Sequence, residues 1–345
     1  MNMQNNSKKL QDHHSLCTEP KLNVFLISYN QACFIEDCIK SILMQKTDFK
    51  FNVIIADDCS TDNTLDIIKR CASNSDVEFI FLENEKNLGV QENLMRAIGA
   101  CNAEYIAAME GDDLWIGAGR LQHHVNFLDT HLECSMSSNR RLDAHYDGDI
   151  IDFISPQPPL EEGNPQGFSY LTATDLIRLY NGGMNLSSCV YRKLTLDKVA
   201  SGLLAKKYLY EASINIMAGT YGLIARHDEI MNVYRAHKSG IWSGLGEIGQ
   251  LDGLLHMFDI MDNHTERKFG ALFDEKRNHI RLYLKTVEFE PTEEEGVAIS
   301  DDHVSKSKEN LLTRLMLRTP PGMLRLMKAL LPQPIKKMIR KLLLR

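Results

Sequence analysis

The sequence predicts an α/β fold with a mostly parallel central sheet flanked by helices. Short apolar segments and amphipathic helical segments alternate three times in fewer than 100 residues. The connections are too short for anything except βαβ crossovers, which place parallel strands side by side. Two of the apolar segments also end in clusters of acidic residues, and open α/β sheets place their ligand sites at such strand ends.

The first 130 residues contain the regular part of this pattern. Apolar runs with the length of buried strands occupy positions 22–28, 51–56, 77–82 and 105–109. Apolar residues at helical spacing predict helices near 33–45, 65–71, 90–100 and 120–130. Because strand and helix alternate, the helices should cover both faces of the sheet.

The pattern is less regular after residue 130. Strands are predicted at 187–191, 221–225 and 230–234, and helices at 174–180, 208–218 and 247–287. A Pro- and Gly-rich stretch at 156–167 predicts a long loop.

The charge of the chain is unevenly distributed. A net charge of −7 argues against nucleic-acid binding by the chain as a whole, yet residues 311–345 contain nine Lys or Arg and no Asp or Glu. Prolines divide this tail into short amphipathic helical segments, which predicts contact with an anionic membrane surface. The alternative is a terminal helical pair that packs on the body of the protein or in a homodimer.

Cysteine usage and apolar runs bear on the compartment. The eight cysteines form no CxxC pair and show no metal-ligand spacing, so reduced thiols are expected. Residues 1–20 lack the apolar segment of a signal peptide, and no apolar run is long enough to span a bilayer. We therefore expect a cytoplasmic protein, peripheral on the inner face of the cytoplasmic membrane.

Two acidic clusters give the strongest chemical signal. The first, at 57–62, follows the second strand, and the second, at 110–113, places three acids within four residues after the fourth strand. Parallel strands bring such ends together, and carboxylate oxygens suit Mg²⁺ or Mn²⁺ bound to a diphosphate. The alternatives are a solvated acidic turn and helix N-capping by Asp58, Ser60 or Asp62. No GxGxxG follows the first strand, so dinucleotide binding of that type is excluded.

Four segments in order resemble the successive signatures of family 2 glycosyltransferases with the GT-A fold. They lie at 22–30, 57–62, 87–89 and 110–115, and a later segment at 233–243 resembles the end of the catalytic domain in bacterial members of one subgroup. Two positions depart from the usual pattern. Ile27 replaces a proline, and Glu110 replaces the first aspartate of the DxD motif.

The resemblance implies a metal-dependent, inverting glycosyltransferase of bacterial cell-surface polysaccharide synthesis. Its donor would be a nucleotide-sugar, by default a UDP-sugar, its acceptor a glycan or a lipid-linked molecule, and its cofactor Mg²⁺ or Mn²⁺. The positions that match the nucleotide and diphosphate contacts are Ser28, Tyr29, Asp57, Asp58 and Asp112. Asp113 matches the metal-binding acid of the DxD motif, with Asp112 beside it.

Three further residues follow from the resemblance in the second half of the chain. An inverting enzyme needs a general base near the acceptor hydroxyl, and Glu211 is the nearest match. Arg235 and His237 match contacts to the diphosphate or the metal. The alternatives are an exposed helical carboxylate for Glu211, an ion pair at a strand end for Arg235 and a surface histidine for His237.

The resemblance also suggests an organisation for the whole chain. The expected parts are a flexible lead (1–20), a GT-A domain (21–245), a helical extension (246–287), an acidic linker (288–310) and a basic helical tail (311–345). Within the domain, 21–130 would bind the nucleotide-sugar and 131–245 the acceptor.

Two other functions remain open from the sequence. A nucleotidyltransferase shares the α/β sheet and the acidic metal site, but it would usually carry a Gly-rich loop with Lys or Arg after the first strand, and 28–32 has neither. A non-catalytic nucleotide-sugar-binding protein, held at the membrane by its tail, is separated from the enzyme only by activity.

Overall fold

The structure is a computed structural model that describes residues 19–147, 150–203 and 211–288. The expected basic tail, the linker beyond Glu288 and most of the lead lie outside the described residues. Among the helices of the described part, none combines the length and apolar character needed to cross a membrane.

Within the described ranges, ten strands form one sheet. The strands are β1 (Leu22–Ser28), β2 (Phe51–Asp57), β3 (Glu78–Phe81), β4 (Tyr105–Glu110), β5 (Leu114–Trp115), β6 (Cys134–Asp147), β7 (Ile150–Pro156), β8 (Phe168–Leu171), β9 (Cys189–Arg192) and β10 (Leu223–Ala236). Their order across the sheet is β3-β2-β1-β4-β9-β6-β10-β5, with β7 beside β6 and β8 beside β10.

Helices connect these strands and extend the chain beyond them. They are α1 (Ile35–Leu43), α2 (Thr64–Ser73), α3 (Val90–Ala100), α4 (Arg120–Thr130), α5 (Ala173–Arg178), α6 (Lys193–Leu203), α7 (Glu211–Ala218), α8 (Ile241–Gly244), α9 (Gly246–His264) and α10 (Gly270–Glu288). The helix predicted near 33–45 is α1, which buries four apolar residues at helical spacing against the sheet: Ile35, Cys38, Ile39 and Ile42.

The first four strands confirm the predicted α/β architecture. β1 lies between β2 and β4 and runs parallel to both, and β2 runs parallel to β3. β1 and β4 are almost continuously buried, as expected for parallel strands that are covered on both faces. Ser28 pairs with Asp57, and Ile27 pairs with Glu110. The carboxyl ends of β1, β2 and β4 therefore meet at one edge of the sheet.

The second half of the sheet differs from the sequence-based expectation. The two strands predicted at 221–225 and 230–234 are one long strand, β10. The sequence suggested two strands because shifts of register between His227 and Ile230 interrupt the apolar alternation. β6, its parallel neighbour, was not predicted at all, since the buried positions of β6 include Ser137 and Asn139. β9 pairs antiparallel with both β4 and β6 and so joins the two halves.

The predicted helix at 247–287 is two helices. Glu266 and Arg267 have φ of 49° and 60°, a left-handed conformation that ends α9 before α10 begins. Arg277 of α10 donates to Asp262 of α9 at 2.7 Å and to Asp274 at 2.6 Å. This buried arginine links the two helices as a pair.

A polar layer lies between α4 and strands β6 and β10. His124 Nδ1 and His227 Nε2 each hydrogen-bond the hydroxyl of Ser137, at 2.8 and 3.0 Å, and His227 Nδ1 lies 3.1 Å from Nε2 of His123. Burial lowers the pKa of His124 and lowers the pKa of His227 to about 3, so both imidazoles are neutral at pH 7. The layer carries no apolar periodicity by which a sequence could reveal it.

Candidate active site

The loops that follow β1 and β2 are joined by hydrogen bonds. The Asp57 carboxylate accepts from the Ser28 hydroxyl at 2.8 Å, and from the amide and hydroxyl of Ser60 at 2.8 and 2.6 Å. The amide of Asn30 in turn donates to Ser60 Oγ at 2.9 Å. Tyr29 stands beside this junction with 46% of its surface exposed. The structure therefore brings Ser28 and Asp57 together and leaves the Tyr29 ring accessible to a ligand.

Asp58 lies next to Asp57 but has different partners. Its carboxylate accepts from the amides of Leu88 and Gly89, both at 2.8 Å, and from the side chain of Asn84 at 3.2 Å. Asp58 is buried, and both oxygens are used by the loop at 84–89. These contacts indicate that Asp58 holds the loop at 84–89 in place. From the sequence, a direct contact with the nucleotide is expected instead.

Gly111 allows the acidic turn to approach β1 and α1. A Cβ at this position would meet Gln31 Oε1, and it would lie 2.8 Å from Ile35 Cδ1 and 3.3 Å from Ser28 Cβ. The amide of Gly111 donates to the carbonyl of Ile27 at 3.0 Å and so continues the pairing of β1 with β4 past the end of the strand. The turn at 110–113 is thus packed tightly against the loop that follows β1.

Asp113, the metal ligand expected from the sequence, is fully buried. Its Oδ2 accepts from Asn185 Nδ2 at 2.7 Å, and its Oδ1 accepts from the backbone amide of Arg235 at 3.1 Å. Burial, followed by the charge of Asp112, raises the pKa of the Asp113 carboxyl to about 7. Both oxygens of this carboxylate therefore have donors within the protein.

Arg235, expected from the sequence to contact the diphosphate or the metal, is also buried. Its guanidinium donates to the carbonyls of Phe34, at 2.9 Å, and Asp113, at 3.2 Å, and also to that of Asp112. It stacks 4.8 Å over the Phe34 ring and lies 3.6 Å from Asp37. Arg235 therefore clamps the acidic turn to the start of α1 and to the end of β10.

Asp112 and His237 face one another at the open side of this clamp. His237 Nε2 lies 3.2 Å from Asp112 Oδ2, while His237 Nδ1 contacts the Ser239 hydroxyl at 2.8 Å. The Phe34 ring packs 4.7 Å from the imidazole. The Asp112 side chain keeps 20% of its surface exposed, so this pair, unlike Asp113, is accessible from the edge of the sheet.

A carboxylate oxygen and an imidazole nitrogen at this separation could serve as two ligands to a divalent cation. The contact of Nδ1 with Ser239 would orient the ring and leave Nε2 for the ion. Across the described ranges, no group of three or more His, Cys, Asp or Glu side chains is arranged to hold a metal. Any ion at Asp112 and His237 would need further ligands from a substrate or from water.

Glu211, the first residue of α7, belongs to the same cluster of acids. Burial raises the pKa of Glu211, and the charge of Arg141 opposes this rise. Burial and then the charges of Asp113, Asp112 and Glu211 raise the pKa of Glu110. The charge of Glu211 thus acts on Glu110, at the start of the acidic turn.

Several residues around the turn were not identified from the sequence. Arg141 stacks 4.8 Å over the Tyr234 ring and donates to Asp143 at 2.6 Å and to the carbonyl of Gly183 at 2.7 Å. Asn185 holds Asp113, as described above. These residues lie on long polar strands and in a loop, and no motif or spacing in the sequence marks them.

Residues 23–143 match the family model described as glycosyl transferase family 2. The chain is 30% identical over 261 residues to the uncharacterized protein Rv1520 of Mycobacterium tuberculosis, covering 72% of this chain and 70% of that protein. It is 23% identical over 208 residues to the abequosyltransferase RfbV of Salmonella typhimurium, covering 59% of this chain and 58% of RfbV. It is also 31% identical over 109 residues to the poly-beta-1,6-N-acetyl-D-glucosamine synthase of Staphylococcus aureus, covering 29% of this chain and 26% of the synthase.

Two solved structures share the fold. The first is S. aureus TarS 1-349 in complex with UDP-GlcNAc, with a TM-score of 0.51 and 17% identity over 72% of this chain and 73% of that one. The second is the mannosyltransferase PcManGT from Pyrobaculum calidifontis in complex with GDP-Man and Mn²⁺, with a TM-score of 0.50 and 15% identity over 80% of this chain and 77% of that one. At these identities the likeness concerns the fold alone, and it confirms the expected GT-A architecture.

We expect Gly111→Ala to destabilise the protein, because the new methyl group would collide with Gln31 and Ile35. The free energy of unfolding, measured by urea denaturation, should fall by roughly 1–3 kcal/mol. Gly99→Ala is the matched control, since a Cβ there meets nothing within 4 Å and Gly99 lies in α3. That variant should be as stable as wild type or more stable by up to about 1 kcal/mol. Equal stabilities for the two variants would contradict the tight packing of the turn.

Proposed function

Because this chain belongs to glycosyltransferase family 2, we propose that it transfers a sugar from a nucleotide-sugar to a hydroxyl of a glycan or lipid-linked acceptor. The observation that carries this proposal is the pair formed by Asp112 and His237, at the strand edge where Ser28 and Asp57 also meet. Family membership makes the chain a glycosyltransferase, so the nucleotidyltransferase and the non-catalytic binding protein lose their support.

The proposed donor site is the edge formed by β1, β2 and β4. Asp57, oriented by Ser28, would accept hydrogen bonds from the nucleotide base, and the exposed ring of Tyr29 would pack against it. A UDP-sugar is the default donor, which the UDP-GlcNAc complex of TarS supports, although PcManGT was solved with GDP-Man. A thermal-shift screen of UDP- and GDP-sugars, with and without Mn²⁺, would identify the donor.

The proposed cofactor is Mg²⁺ or Mn²⁺, held by Asp112 and His237. Such ions are commonly bound by one or two protein groups together with substrate phosphates and water, so the donor set fits. When bound, the ion would stabilise the charge that develops on the diphosphate leaving group. Asp113 and Arg235 would act indirectly, because they fix the backbone on either side of the pair.

Glu211 is the proposed general base of an inverting transfer. The acceptor hydroxyl would give its proton to the Glu211 carboxylate as its oxygen bonds to the anomeric carbon, and the bond from that carbon to the diphosphate would break. A partly buried glutamate with a raised pKa holds a proton more readily than an exposed one, and it is therefore suited to this role.

We expect Asp112→Asn and His237→Ala to abolish Mn²⁺-dependent transfer. Asp112→Asn should leave the unfolding temperature close to that of wild type, since this side chain is partly exposed and keeps its shape. Asp113→Asn should lower both the rate of transfer and the unfolding temperature, because its new amide group would face the donors of Asn185 or Arg235. Asp66→Asn, on the exposed face of α2, serves as the control.

The measurement is turnover against Mn²⁺ concentration, with differential scanning fluorimetry of each variant. Full activity of wild type in excess EDTA would contradict the metal-dependent mechanism. Full activity of Asp112→Asn would remove Asp112 from the metal site.

Glu211→Gln should reduce turnover by roughly 10²–10⁴-fold and leave nucleotide binding nearly intact, because glutamine cannot accept the proton. In wild type, the base works only when it is deprotonated. Its raised pKa therefore predicts that kcat/KM falls on the acid side at a pH above the ordinary glutamate value of 4.5. This acid limb should be absent from the pH profile of Glu211→Gln. Near-normal turnover in Glu211→Gln, with Glu92→Gln as control, would assign the base to another acid of the second half.

The tail at 311–345 is proposed to attach the enzyme to an anionic membrane, on the strength of its nine cations and apolar stripes. Full-length protein should co-sediment with anionic liposomes, and less so at high salt, whereas a chain that ends at Asn310 should remain in the supernatant. Neutral liposomes serve as the control. Equal sedimentation of the two chains would indicate that the tail packs within the protein or in a dimer.

A further inference from the structure

Arg120, at the start of α4, is a buried cation whose described hydrogen-bond partners are all uncharged. It is 2% exposed, and its guanidinium stacks 4.4 Å over the Trp115 ring. Its hydrogen bonds run from Nε to Asn139 Oδ1, at 3.1 Å, and from Nη2 to the carbonyl of Ser187, also at 3.1 Å. None of the contacts that the structure describes for Arg120 is with a carboxylate. A buried charge is costly unless it is balanced, which raises the question of what balances this one.

The first of these hydrogen bonds begins a chain of three buried asparagines that ends at Asp113. Asn139 Nδ2 donates to Asn232 Oδ1 at 2.8 Å, and Asn232 Nδ2 donates to Asn185 Oδ1 at 3.2 Å. Asn185 Nδ2 then donates to Asp113 Oδ2 at 2.7 Å. The three amides come from β6, β10 and the segment before β9, and all are at least 96% buried.

Chemistry fixes the direction of this chain at both ends. A guanidinium can only donate, so Asn139 must present its oxygen to Arg120. When its carboxylate is ionised, Asp113 can only accept, so Asn185 presents its nitrogen to it. The middle amide of Asn232 is then fixed as well. Each amide dipole points the same way, from cation to anion, so the bonds polarise one another in the same sense.

A second, shorter path joins the same two groups. The carbonyl of Ser187 accepts from Arg120 and also from Trp115 Nε1, at 2.8 Å. The hydroxyl of Ser187 accepts from the amide of Glu110 at 3.1 Å, and a hydrogen bond from this hydroxyl lowers the pKa of Asp113 against the effect of burial. Arg120 therefore supports both the start of the acidic turn and its last residue.

We propose that Arg120 is a positioning residue for the metal-binding pair, acting through Asn139, Asn232 and Asn185 and through Ser187. The paths converge on Asp113, which is adjacent to Asp112 and accepts from the amide of Arg235, two residues before His237. The inference rests on the proposed role of Asp112 and His237. It adds that their relative placement depends on a cation in α4 that touches neither of them.

The test uses Asn232→Ser, which interrupts the long path at a residue whose described side-chain hydrogen bonds are to Asn139 and Asn185. Its matched control is Asn52→Ser on β2. Asn52 is also a buried strand asparagine bonded to another asparagine, Asn23, whose remaining contacts lead to the backbone at 102–103. Both changes remove one buried amide, and the unfolding temperature of each variant measures its purely structural effect. Only Asn232 is connected to the acidic turn.

Two readouts separate positioning from general destabilisation. The first is Mn²⁺ binding in the presence of UDP, followed by the electron paramagnetic resonance signal of free Mn²⁺, which requires no turnover. Asn232→Ser should weaken this binding by about tenfold or more, as loss of groups that orient metal ligands commonly does, and Asn52→Ser should change it less than about twofold. The second is the Mn²⁺ concentration for half-maximal turnover, which should rise in parallel.

Arg120→Lys provides a second variant that keeps the charge and is more conservative than removal of the side chain. A lysine ammonium lacks the planar fork by which arginine donates in two fixed directions, so one path should be lost and Mn²⁺ binding should weaken to an intermediate degree. Wild-type-like Mn²⁺ binding by both Asn232→Ser and Arg120→Lys would overturn the positioning role. If wild type itself binds no Mn²⁺ with UDP, the proposed metal site fails and the inference fails with it.

Discussion

The site depends on one buried carboxylate. Asp113 has no exposed surface, and its two oxygens accept from a side chain that precedes β9 and from the backbone of β10. Removing such a group from water is unfavourable unless every oxygen finds a donor, so the elements that carry these donors must take up fixed positions around it. The residues beside these bonds, Asp112 and His237, are thereby placed 3.2 Å apart although they are 125 positions apart in sequence.

The two halves of the sheet contribute to the site in different ways. In the first half, the order β3-β2-β1-β4 places the ends of three parallel strands at one edge, and hydrogen bonds between loops make that edge rigid. In the second half, β10 runs beside β6 and carries His237 just past its end. The Arg235 clamp joins the halves, because its guanidinium bonds carbonyls of the acidic turn and of the residue before α1. The proposed donor contacts therefore follow from local order, and the proposed metal-binding pair follows from long-range contacts.

This difference explains what the sequence could predict. β1, β2 and β4 are apolar runs covered on both faces, so hydrophobicity places them to within a residue of their observed ends. Hydrophobicity cannot tell which of two adjacent aspartates faces inward. Asp112 and Asp113 are the same residue type at adjacent positions. The same holds for Asp57 and Asp58. Asp113 is held inward by Asn185 and Arg235, which are distant in sequence. β6 was missed for a related reason, since several of its buried positions are polar and are satisfied by partners on other elements.

A polar interior of this kind makes the fold less stable than well-packed apolar side chains would. In return, it favours a single arrangement of the surrounding strands and side chains. Apolar neighbours can slide by fractions of an ångström at small cost, whereas a metal-binding pair must be held to about half an ångström. A chain of amides between a group that only donates and a group that only accepts has one satisfied arrangement, and a single reversed amide would place two donors face to face. Arg120 and Asp113 stand at the two ends of this chain of amides. Their opposite hydrogen-bonding character selects one orientation for each of Asn139, Asn232 and Asn185, and it thereby fixes the strands that bear the site.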